Sequence, residues 1–278
     1  MLASLLACCA LAPALPPVET AFVQVAPGYH EAAACLRSPG QARAVVLIHG
    51  LLPHPFSRDS VARPLFHEWQ KPASLLVKRL GQDSDVFAFA YGQNVPAGEV
   101  AESLALREDV RRLRALGYRE IVLVGHSAGG VIAREFVEDN PDAGVTKVVQ
   151  VCAPNGGSGW AVMHAVRANQ VDFLASLTKS TRRRTLTARA GKAIPAHVEF
   201  ACVVGTGTVV GDGLVRTSCQ WTEELQRQGV PAYPLGTSHW SAVRGKKGAE
   251  LLAELVRTPQ PRWDARQVAA ARRRIPWN

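Results

Sequence analysis

The sequence lacks several features that would assign it to a special class of protein. It has no internal repeat and no low-complexity segment, and its 278 residues are 47% hydrophobic and 20% charged. This balance excludes a wholly disordered chain and allows a large buried core. No apolar run is long and continuous enough to span a bilayer. We therefore expect a globular protein, either one α/β domain with an insertion or two small domains.

Cysteine patterns typical of metal sites are also absent. Six cysteines occur, two of them within the first nine residues, and the remaining four show no C-x-x-C spacing. Zinc is therefore not expected, and no other metal or organic cofactor is implied. If the chain is exported, Cys202 and Cys219 could form a disulfide, with buried free thiols as the alternative. Cys152 lies in an apolar run and is expected in the core.

Charge is absent from the first eighteen residues, MLASLLACCALAPALPPV. Three prolines interrupt this leader, which resembles the apolar part of a secretory signal peptide without the usual basic start. We therefore expect an exported protein that is periplasmic, secreted or membrane-associated, with a cytoplasmic location as the alternative. Residues 5–8 also have the form of a lipoprotein cleavage site, but the apolar stretch before them is short.

Acidic residues are fewer than basic ones, since the sequence has 23 Asp and Glu and 32 Lys and Arg, for a net charge of +9. Such a balance can indicate a nucleic acid or an anionic membrane as partner. No nucleic-acid-binding motif accompanies the basic clusters, so nucleic acid is not expected. Solvated surface is the first interpretation of the clusters, and contact with an anionic lipid or polymer surface is the second. The clusters are Arg182, Arg183 and Arg184 with Arg189 and Lys192; Lys246 and Lys247; and Arg272, Arg273 and Arg274.

What the sequence does contain is an alternation of β-rich and helical segments. Five apolar runs predict strands at 44–48, 85–91, 121–124, 147–152 and 198–204. Runs that are apolar on both faces are typical of central parallel strands. Helices are predicted at 72–80, 99–116, 128–139, 217–228 and 247–257, with Gly117 placed to end the second of these. The alternation predicts right-handed β-α-β crossovers and an open, mostly parallel sheet.

Two segments interrupt this alternation. Residues 51–71 are rich in proline, histidine and aromatic residues, and residues 155–197 separate two predicted strands by much more than a short crossover. Long insertions at the carboxyl edge of a parallel sheet often form lids and substrate pockets. Residues 155–197 are therefore predicted to be a lid-like insertion, and residues 259–278 a basic C-terminal helix or tail.

The stretch EIVLVGHSAGGVIAREF, residues 120–136, contains the pattern G-x-S-x-G around Ser127. A serine on a sharp strand-to-helix turn adopts a strained backbone, and glycines two residues before and after let the neighbouring segments pass. The following helix directs the positive end of its dipole at the site. The pattern alone occurs often by chance, but between a predicted strand and a predicted helix it favours a nucleophile over a packing turn.

Several motifs together resemble those of the α/β-hydrolase superfamily, and within it the bacterial lipases and esterases. They are VVLIHGL, VGHSAGG, APNGGS, GDGLV and TSHW, in that order, within about residues 41–258. The first two together are fairly specific, and the last two count mainly through their position. The resemblance implies an α/β-hydrolase domain over residues 41–258, with a mostly parallel central sheet, helices on both faces and the triad order Ser, then Asp or Glu, then His.

Asp212 and His239 fit this order. For His164 or His197 to be the base, the acid would have to come from the helix after the serine or from the lid-like insertion, and neither is a strand end. Asp212 follows a predicted strand, where a loop can reach the upper edge of the sheet. An ordinary turn aspartate and a surface imidazole are the alternatives for Asp212 and His239. The weaker acid candidates are Asp172, Glu199 and Glu223.

Chemistry assigns a role to each predicted catalytic residue. His239 would take the proton of Ser127 as a general base and later return it to the leaving alcohol. Asp212 would fix the imidazole tautomer and stabilise the imidazolium. The resemblance implies that the tetrahedral oxyanion accepts hydrogen bonds from the backbone N–H groups of Ala128 and Leu51.

Three further residues are candidates for the substrate pocket. Trp160 and Trp240 flank motifs expected near the cleft, where they could line an acyl pocket or simply belong to the core or rim. His126, inside the G-x-S-x-G turn, is expected to pack or to form pocket wall. His49 is interpreted as a structural histidine that holds its loop.

The sequence thus predicts a serine carboxylic-ester hydrolase of lipase or esterase type that acts on ester or lipid-like small molecules through an acyl-enzyme. A thioesterase, amidase, polyester depolymerase or acyltransferase could use the same triad, because fold and triad do not separate these activities. A non-catalytic binding protein on the hydrolase scaffold is a further alternative, as is a surface-interaction protein that uses its basic segments. Acyl-chain length and oligomeric state are not predicted.

Overall fold

The computed structural model describes residues 18–52, 62–162 and 170–276. The predicted apolar leader, residues 1–18, lies outside the described residues except for Val18. Residues 53–61 and 163–169, which belong to the two segments that interrupt the alternation, also lie outside them.

An eight-stranded sheet forms the centre of the protein. Its strands are β1 (Thr20–Ala26), β2 (His30–Glu31), β3 (Arg43–Ile48), β4 (Asp85–Tyr91), β5 (Glu120–His126), β6 (Lys147–Val151), β7 (Glu199–Gly205) and β8 (Ala232–Leu235), in the order β2-β1-β4-β3-β5-β6-β7-β8. The pairings from β4 to β8 are all parallel, whereas β1 pairs antiparallel with β2 and β4. The predicted open, mostly parallel sheet is confirmed.

Helices cover both faces of the sheet. They are α1 (Leu75–Leu80), α2 (Ala97–Ala101), α3 (Leu104–Ala115), α4 (Ala128–Asp139), α5 (Val171–Ser176), α6 (Lys179–Ala188), α7 (Thr217–Gln220), α8 (Glu223–Arg227), α9 (Ser241–Arg244), α10 (Lys246–Arg257) and α11 (Ala265–Arg274). Val46 of β3 packs in a cluster with Ile132 of α4, while Val45 packs on the other face in a cluster with Leu252 of α10. Among the described helices, none combines the length and apolarity needed to cross a membrane.

Two predicted helices are interrupted in the structure. The prediction of one helix over 99–116 is wrong, because α2 ends at Ala101 and α3 begins at Leu104. Ser103 precedes α3, and its hydroxyl accepts a hydrogen bond from the N–H of Leu106 at 3.4 Å. A serine side chain that accepts from the third residue on is typical of a helix start. The predicted helix over 217–228 is likewise divided, into α7 and α8. Gly117 has φ +91° just after α3, as predicted for a helix-ending glycine.

The four cysteines of the described residues are free thiols: Cys35, Cys152, Cys202 and Cys219. The alternative in which Cys202 and Cys219 form a disulfide is therefore wrong. The Cys202 thiol instead donates a weak hydrogen bond to the side-chain oxygen of Gln150 at 3.6 Å. Cys152 is fully buried, as expected.

Ion pairs join α6 and the residues after it to α4. Arg182 pairs with Glu135 at 2.6 Å, and both side chains are only 4% exposed. Arg189 and Lys192 both pair with Asp139 at the end of α4. Solvated surface is therefore the wrong interpretation for Arg182 and Arg189, whose side chains are 4% and 14% exposed, whereas Lys192 lies on the surface. All three residues bond the second half of the 155–197 segment to α4.

Replacement of Arg182 by alanine should destabilise the fold, because the Glu135 carboxylate would stay buried without a counter-ion. We expect a loss of about 3–5 kcal/mol in the free energy of unfolding, measured by urea denaturation. Arg184→Ala, at an exposed position of the same helix, is the matched control and should change stability by less than about 0.5 kcal/mol. Equal stabilities of the two variants would show that the buried pair is not needed.

Candidate active site

Ser127 occupies a strained turn between β5 and α4. Its backbone has φ 55° and ψ −126°, a left-handed conformation that is uncommon for a residue with a side chain. The Ser127 N–H donates to the carbonyl of Val151 in the adjacent strand at 2.8 Å. The side chain makes no hydrogen bond to the helix that it precedes, and the residue is 7% exposed. The hydroxyl is thus placed at the carboxyl edge of the sheet and left available to another partner.

The glycines on either side of Ser127 are required by close backbone contacts. A Cβ on Gly125 would lie 2.3 Å from the carbonyl oxygen of Gly129, and a Cβ on Gly129 would lie 2.2 Å from that of Ile48. Real side chains do not tolerate such distances to backbone atoms. The G-x-S-x-G spacing therefore allows β3, β5 and α4 to meet at one point.

The loop after β3 passes directly beside the serine side chain. A Cβ on Gly50 would lie 2.5 Å from Cβ of Ser127 and 3.1 Å from its Oγ. Leu51 follows Gly50, and Ala128 is the first residue of α4, where the leading N–H groups have no partner within the helix. One predicted oxyanion donor thus follows a glycine that contacts the Ser127 side chain, and the other directly follows Ser127 in the chain.

His49 holds this loop in place. Its Nδ1 lies 2.7 Å from the carbonyl oxygen of Gly50, and its Nε2 accepts from the N–H of Tyr91 at 3.3 Å. The Tyr91 hydroxyl donates to the carbonyl of His49 at 2.8 Å, and the two rings stack with centroids 4.3 Å apart. These contacts support the structural interpretation of His49.

Asp212 and His239 form a buried hydrogen-bonded pair. Asp212 Oδ2 lies 2.8 Å from His239 Nδ1, and the N–H of His239 donates to the carbonyl of Asp212 at 2.9 Å. The other carboxylate oxygen accepts from the N–H groups of Leu214 and Val215 at 2.8 and 2.7 Å. Asp212 is 1% exposed and His239 3% exposed. The carboxylate is therefore fixed on Nδ1 of the imidazole, which leaves Nε2 for a further partner.

His126 links this pair to the Ser127 turn. Its Nε2 donates to the carbonyl of His239 at 2.9 Å, and the two imidazole centroids are 4.8 Å apart. Burial, and next the neighbouring His239 ring, lower the pKa of His126 well below its ordinary value, so the ring is neutral at pH 7. Because His126 is fully buried, packing describes its place better than pocket wall. His126, which directly precedes Ser127, thus holds the loop that carries His239.

The two candidate tryptophans lie in different surroundings. Trp240 packs edge-on against the His239 ring at 5.4 Å and lies 6.1 Å from the His126 ring. The Arg244 guanidinium lies over the Trp240 ring, 5.7 Å from its centroid. Trp160 is 55% exposed on a turn after β6. The structure therefore brings Trp240 to the predicted triad and leaves Trp160 on the outer surface.

Cys152 is a site residue that sequence reasoning assigned only to the core. Its Sγ, an Asp212 carboxylate oxygen and a His239 ring nitrogen all lie within 4.8 Å of one another. Burial, and next the Asp212 carboxylate, raise the pKa of the thiol well above its ordinary value. Gly205 permits this contact, since a Cβ there would lie 2.8 Å from the sulfur. The position of Cys152 at the carboxyl end of a predicted strand was the feature of the sequence that could have indicated its place near the site.

These three side chains carry atoms that could ligate a metal ion. In this arrangement, however, both carboxylate oxygens of Asp212 already accept hydrogen bonds, from the His239 ring and from two backbone N–H groups. These hydrogen bonds therefore explain the position of the Asp212 carboxylate in the cluster.

The weaker candidates lie elsewhere. His197 is exposed and its Nε2 lies 3.1 Å from a backbone carbonyl oxygen in the loop after α4. Glu199 begins β7 at the amino edge of the sheet, where it pairs with Lys147 at 2.9 Å. The exposed Asp172 and Glu223 lie in α5 and α8, and His164 lies outside the described residues.

A serine on a strand-to-helix turn above a mostly parallel sheet, with an aspartate and a histidine later in the chain, is typical of the α/β-hydrolase fold. A sequence profile of the alpha/beta hydrolase family matches residues 45–277, and the chain belongs to this family. The family expected from the sequence motifs is thereby confirmed. No curated protein sequence matches the chain.

Solved structures of similar fold include bacterial lipases and esterases. The mature lipase BlEst2 of Bacillus licheniformis has a TM-score of 0.59 and 16% identity, over 80% of this chain and 95% of that one. Phospholipase PlaB of Legionella pneumophila has a TM-score of 0.57 and 14% identity, over 85% of this chain and 63% of that one. The metagenomic carboxyl esterase MGS0156 has a TM-score of 0.52 and 18% identity, over 83% and 75%. At these identities the likeness shows the fold.

The neutral state of His126 predicts a pH dependence of stability. Its folded-state pKa lies below the value of about 6.5 expected in the unfolded chain, so the unfolded state binds more protons as the pH falls. The free energy of unfolding should therefore decrease below about pH 6.5, by up to about 1.4 kcal/mol per pH unit from this group. His126→Gln should remove that part of the slope in urea denaturation at a series of pH values.

His197→Gln serves as the control, because His197 is exposed and its replacement should leave the slope as it is in the wild type. Identical slopes for the wild type and His126→Gln would contradict the neutral buried state.

Proposed function

We propose that this chain is a serine carboxylic-ester hydrolase of lipase or esterase type that uses Ser127, His239 and Asp212. The observation that carries the proposal is the buried Asp212–His239 hydrogen bond, joined through His126 to the turn that holds Ser127. A serine hydroxyl is a weak nucleophile at neutral pH and needs an adjacent base. An imidazole held at Nδ1 by a carboxylate is suited to accept that proton at Nε2.

The proposed reaction has two halves. In the first, Ser127 Oγ attacks the ester carbonyl carbon while His239 Nε2 takes the hydroxyl proton, and Asp212 stabilises the imidazolium. His239 then donates this proton to the departing alcohol, which leaves an acyl group on the serine. In the second half, His239 deprotonates a water molecule that attacks the acyl-enzyme, and the acid departs as the serine regains its proton.

The N–H groups of Leu51 and Ala128 are the proposed donors to the oxyanion of both tetrahedral intermediates. Two observations support them: the contact of Gly50 with the serine side chain, and the position of Ala128 at the start of α4. Because Ser127 and His239 are almost fully buried, these donors would act in a site with little water, where hydrogen bonds to a developing charge are strong.

Lipid-like esters are the proposed substrate class. The names of two structural neighbours, a lipase and a phospholipase, support this choice. The Trp240 ring beside His239 supports it as well, because it provides apolar surface at the predicted base.

We also propose that the protein is exported, on the basis of its uncharged apolar leader. Expression in a Gram-negative host, followed by fractionation and N-terminal sequencing, should recover a chain outside the cytoplasm that has lost the leader. A cytoplasmic chain with an intact N-terminus would contradict export.

Hydrolysis of aryl and glyceryl esters with short to long acyl chains tests the catalytic proposal. Ser127→Ala and Asp212→Asn should each lower kcat/KM by about 10³-fold or more, because they remove the nucleophile or the support of the base. Ser180→Ala, at an exposed serine of α6, is the matched control and should keep the wild-type rate.

An organophosphonate provides an independent readout, since it should form a stoichiometric adduct on Ser127 of the wild type and none on Ser127→Ala. Absence of both ester turnover and adduct in the wild type would refute the proposal and favour a binding protein. Activity that increases with chain length would define a lipase, and a short-chain optimum an esterase.

A further inference from the structure

The loop that carries Asp212, residues 206–216, has a second surface that faces outward. We call this segment the acid loop. Asp212 points into the protein, whereas Val209 and Val210 are 93% and 47% exposed. Val210 lines a surface depression of about 390 Å³ together with Trp160 and Leu214. These four apolar residues, defined here as the apolar patch, include three of the eight large hydrophobic side chains that are exposed among the described residues.

Such clustering distinguishes the apolar patch from ordinary surface. Single exposed hydrophobic residues are common on soluble proteins, but several together indicate a binding surface. A tryptophan among them adds a large ring with a polar N–H, a combination suited to the boundary between water and an apolar phase.

Two cations border the apolar patch. Lys179, the first residue of α6, and Arg216, at the end of the acid loop, are exposed and line the same depression, and none of the described residues that line it is acidic. Within the part of the chain that the structure describes, neither side chain forms an ion pair. Arg182 and Arg189 of the same segment, in contrast, are neutralised by acids of α4. Positive charge therefore remains free beside the apolar side chains.

Hydrogen bonds connect the parts of this surface into one unit. The Ser158 hydroxyl donates to the carbonyl of Leu214 at 2.7 Å and accepts from the N–H of Trp160 at 3.2 Å. The chain at Gly157 lies so close to the start of α6 that a Cβ there would be 2.5 Å from Cα of Lys179. The Trp160 turn, the acid loop and the start of α6 thus present a preformed surface.

We infer that the apolar patch docks the protein on a lipid surface that contains anionic headgroups. Trp160 and the two valines would enter the boundary between headgroups and acyl chains, while Lys179 and Arg216 would contact the headgroup anions. The basic run at 182–192, which the sequence offered for such a contact, has its main cations engaged in ion pairs. The inference extends the proposed function, because the inner side of the docked loop holds Asp212.

Sedimentation of the full chain with lipid vesicles tests the inference. Vesicles of phosphatidylcholine alone are compared with vesicles that also contain phosphatidylglycerol. The wild type should partition onto the anionic vesicles. The double variant Lys179→Glu, Arg216→Glu should partition at least about 25-fold less, at a factor of about five for each lost cation. Val209→Ser with Val210→Ser should reduce partitioning by about tenfold through lost apolar burial.

The control is Lys246→Glu with Lys247→Glu, which makes the same change in net charge at another basic cluster. It should stay within about threefold of the wild type, because neither lysine lines the depression beside the apolar patch and salt weakens the attraction of exposed charges that are not at the contact. Lys179→Glu alone, which lies outside the acid loop, repeats the charge test without altering that loop.

Turnover of a soluble short-chain aryl ester separates docking from catalysis. The docking variants should keep the wild-type rate on this substrate while they lose vesicle binding. Vesicle binding through the apolar patch without ester turnover would refute the proposed function and leave the docking inference standing. The inference is overturned if the wild type ignores anionic vesicles, if both charge-reversal pairs lose binding equally, or if only a soluble anionic polymer binds.

Discussion

The contact of three backbone segments at the Ser127 turn is the constraint on which the rest of the site depends. β3, β5 and α4 approach so closely there that Gly125 and Gly129 leave no room for a side chain. The same contact brings the Gly50 backbone against the serine and so determines where the Leu51 N–H lies. A strained serine is held in place because its N–H is bonded to β6 and its carbonyl to the first turn of α4.

Hydrogen bonds between loops complete what the backbone contact begins. Asp212 receives two N–H groups from its own loop and faces His239, and His239 is held through its carbonyl by His126. Asp212, His239 and His126 are each almost fully buried. In such surroundings an unpaired polar atom is costly, so the loops have few alternative positions. Because these loops have few alternative positions, the site is well ordered, although most of its residues lie in loops.

The sequence predicted the centre of the fold well because that centre is dominated by local signals. Continuous apolar runs marked β3 to β7, and the G-x-S-x-G pattern marked the turn. β1 was missed because the polar Gln24 interrupts its apolar run, although Gln24 is itself buried and bonds through its side chain to the backbone of Leu36. The helix break at Ser103 was missed because a capping serine resembles any other polar residue within an amphipathic pattern.

The remaining features depend on contacts between distant residues, which a single sequence does not display. The position of Cys152 beside Asp212 requires that β6 and β7 be neighbours and that Gly205 lack a side chain. The pairing of Arg182 with Glu135 requires that the insertion fold back on α4. The composition gives the number of charged residues but not which of them form ion pairs.

The pairing of Arg182 with Glu135 also has a consequence for divergence within the family. Either residue, changed alone, leaves a buried charge uncompensated, whereas an exchange of the two or joint replacement by apolar residues does not. These two positions are therefore expected to covary. Glu135 lies on α4, the helix that follows the serine, and Arg182 lies on the insertion. Substitutions of Arg182 in the insertion are therefore expected to occur together with substitutions in α4.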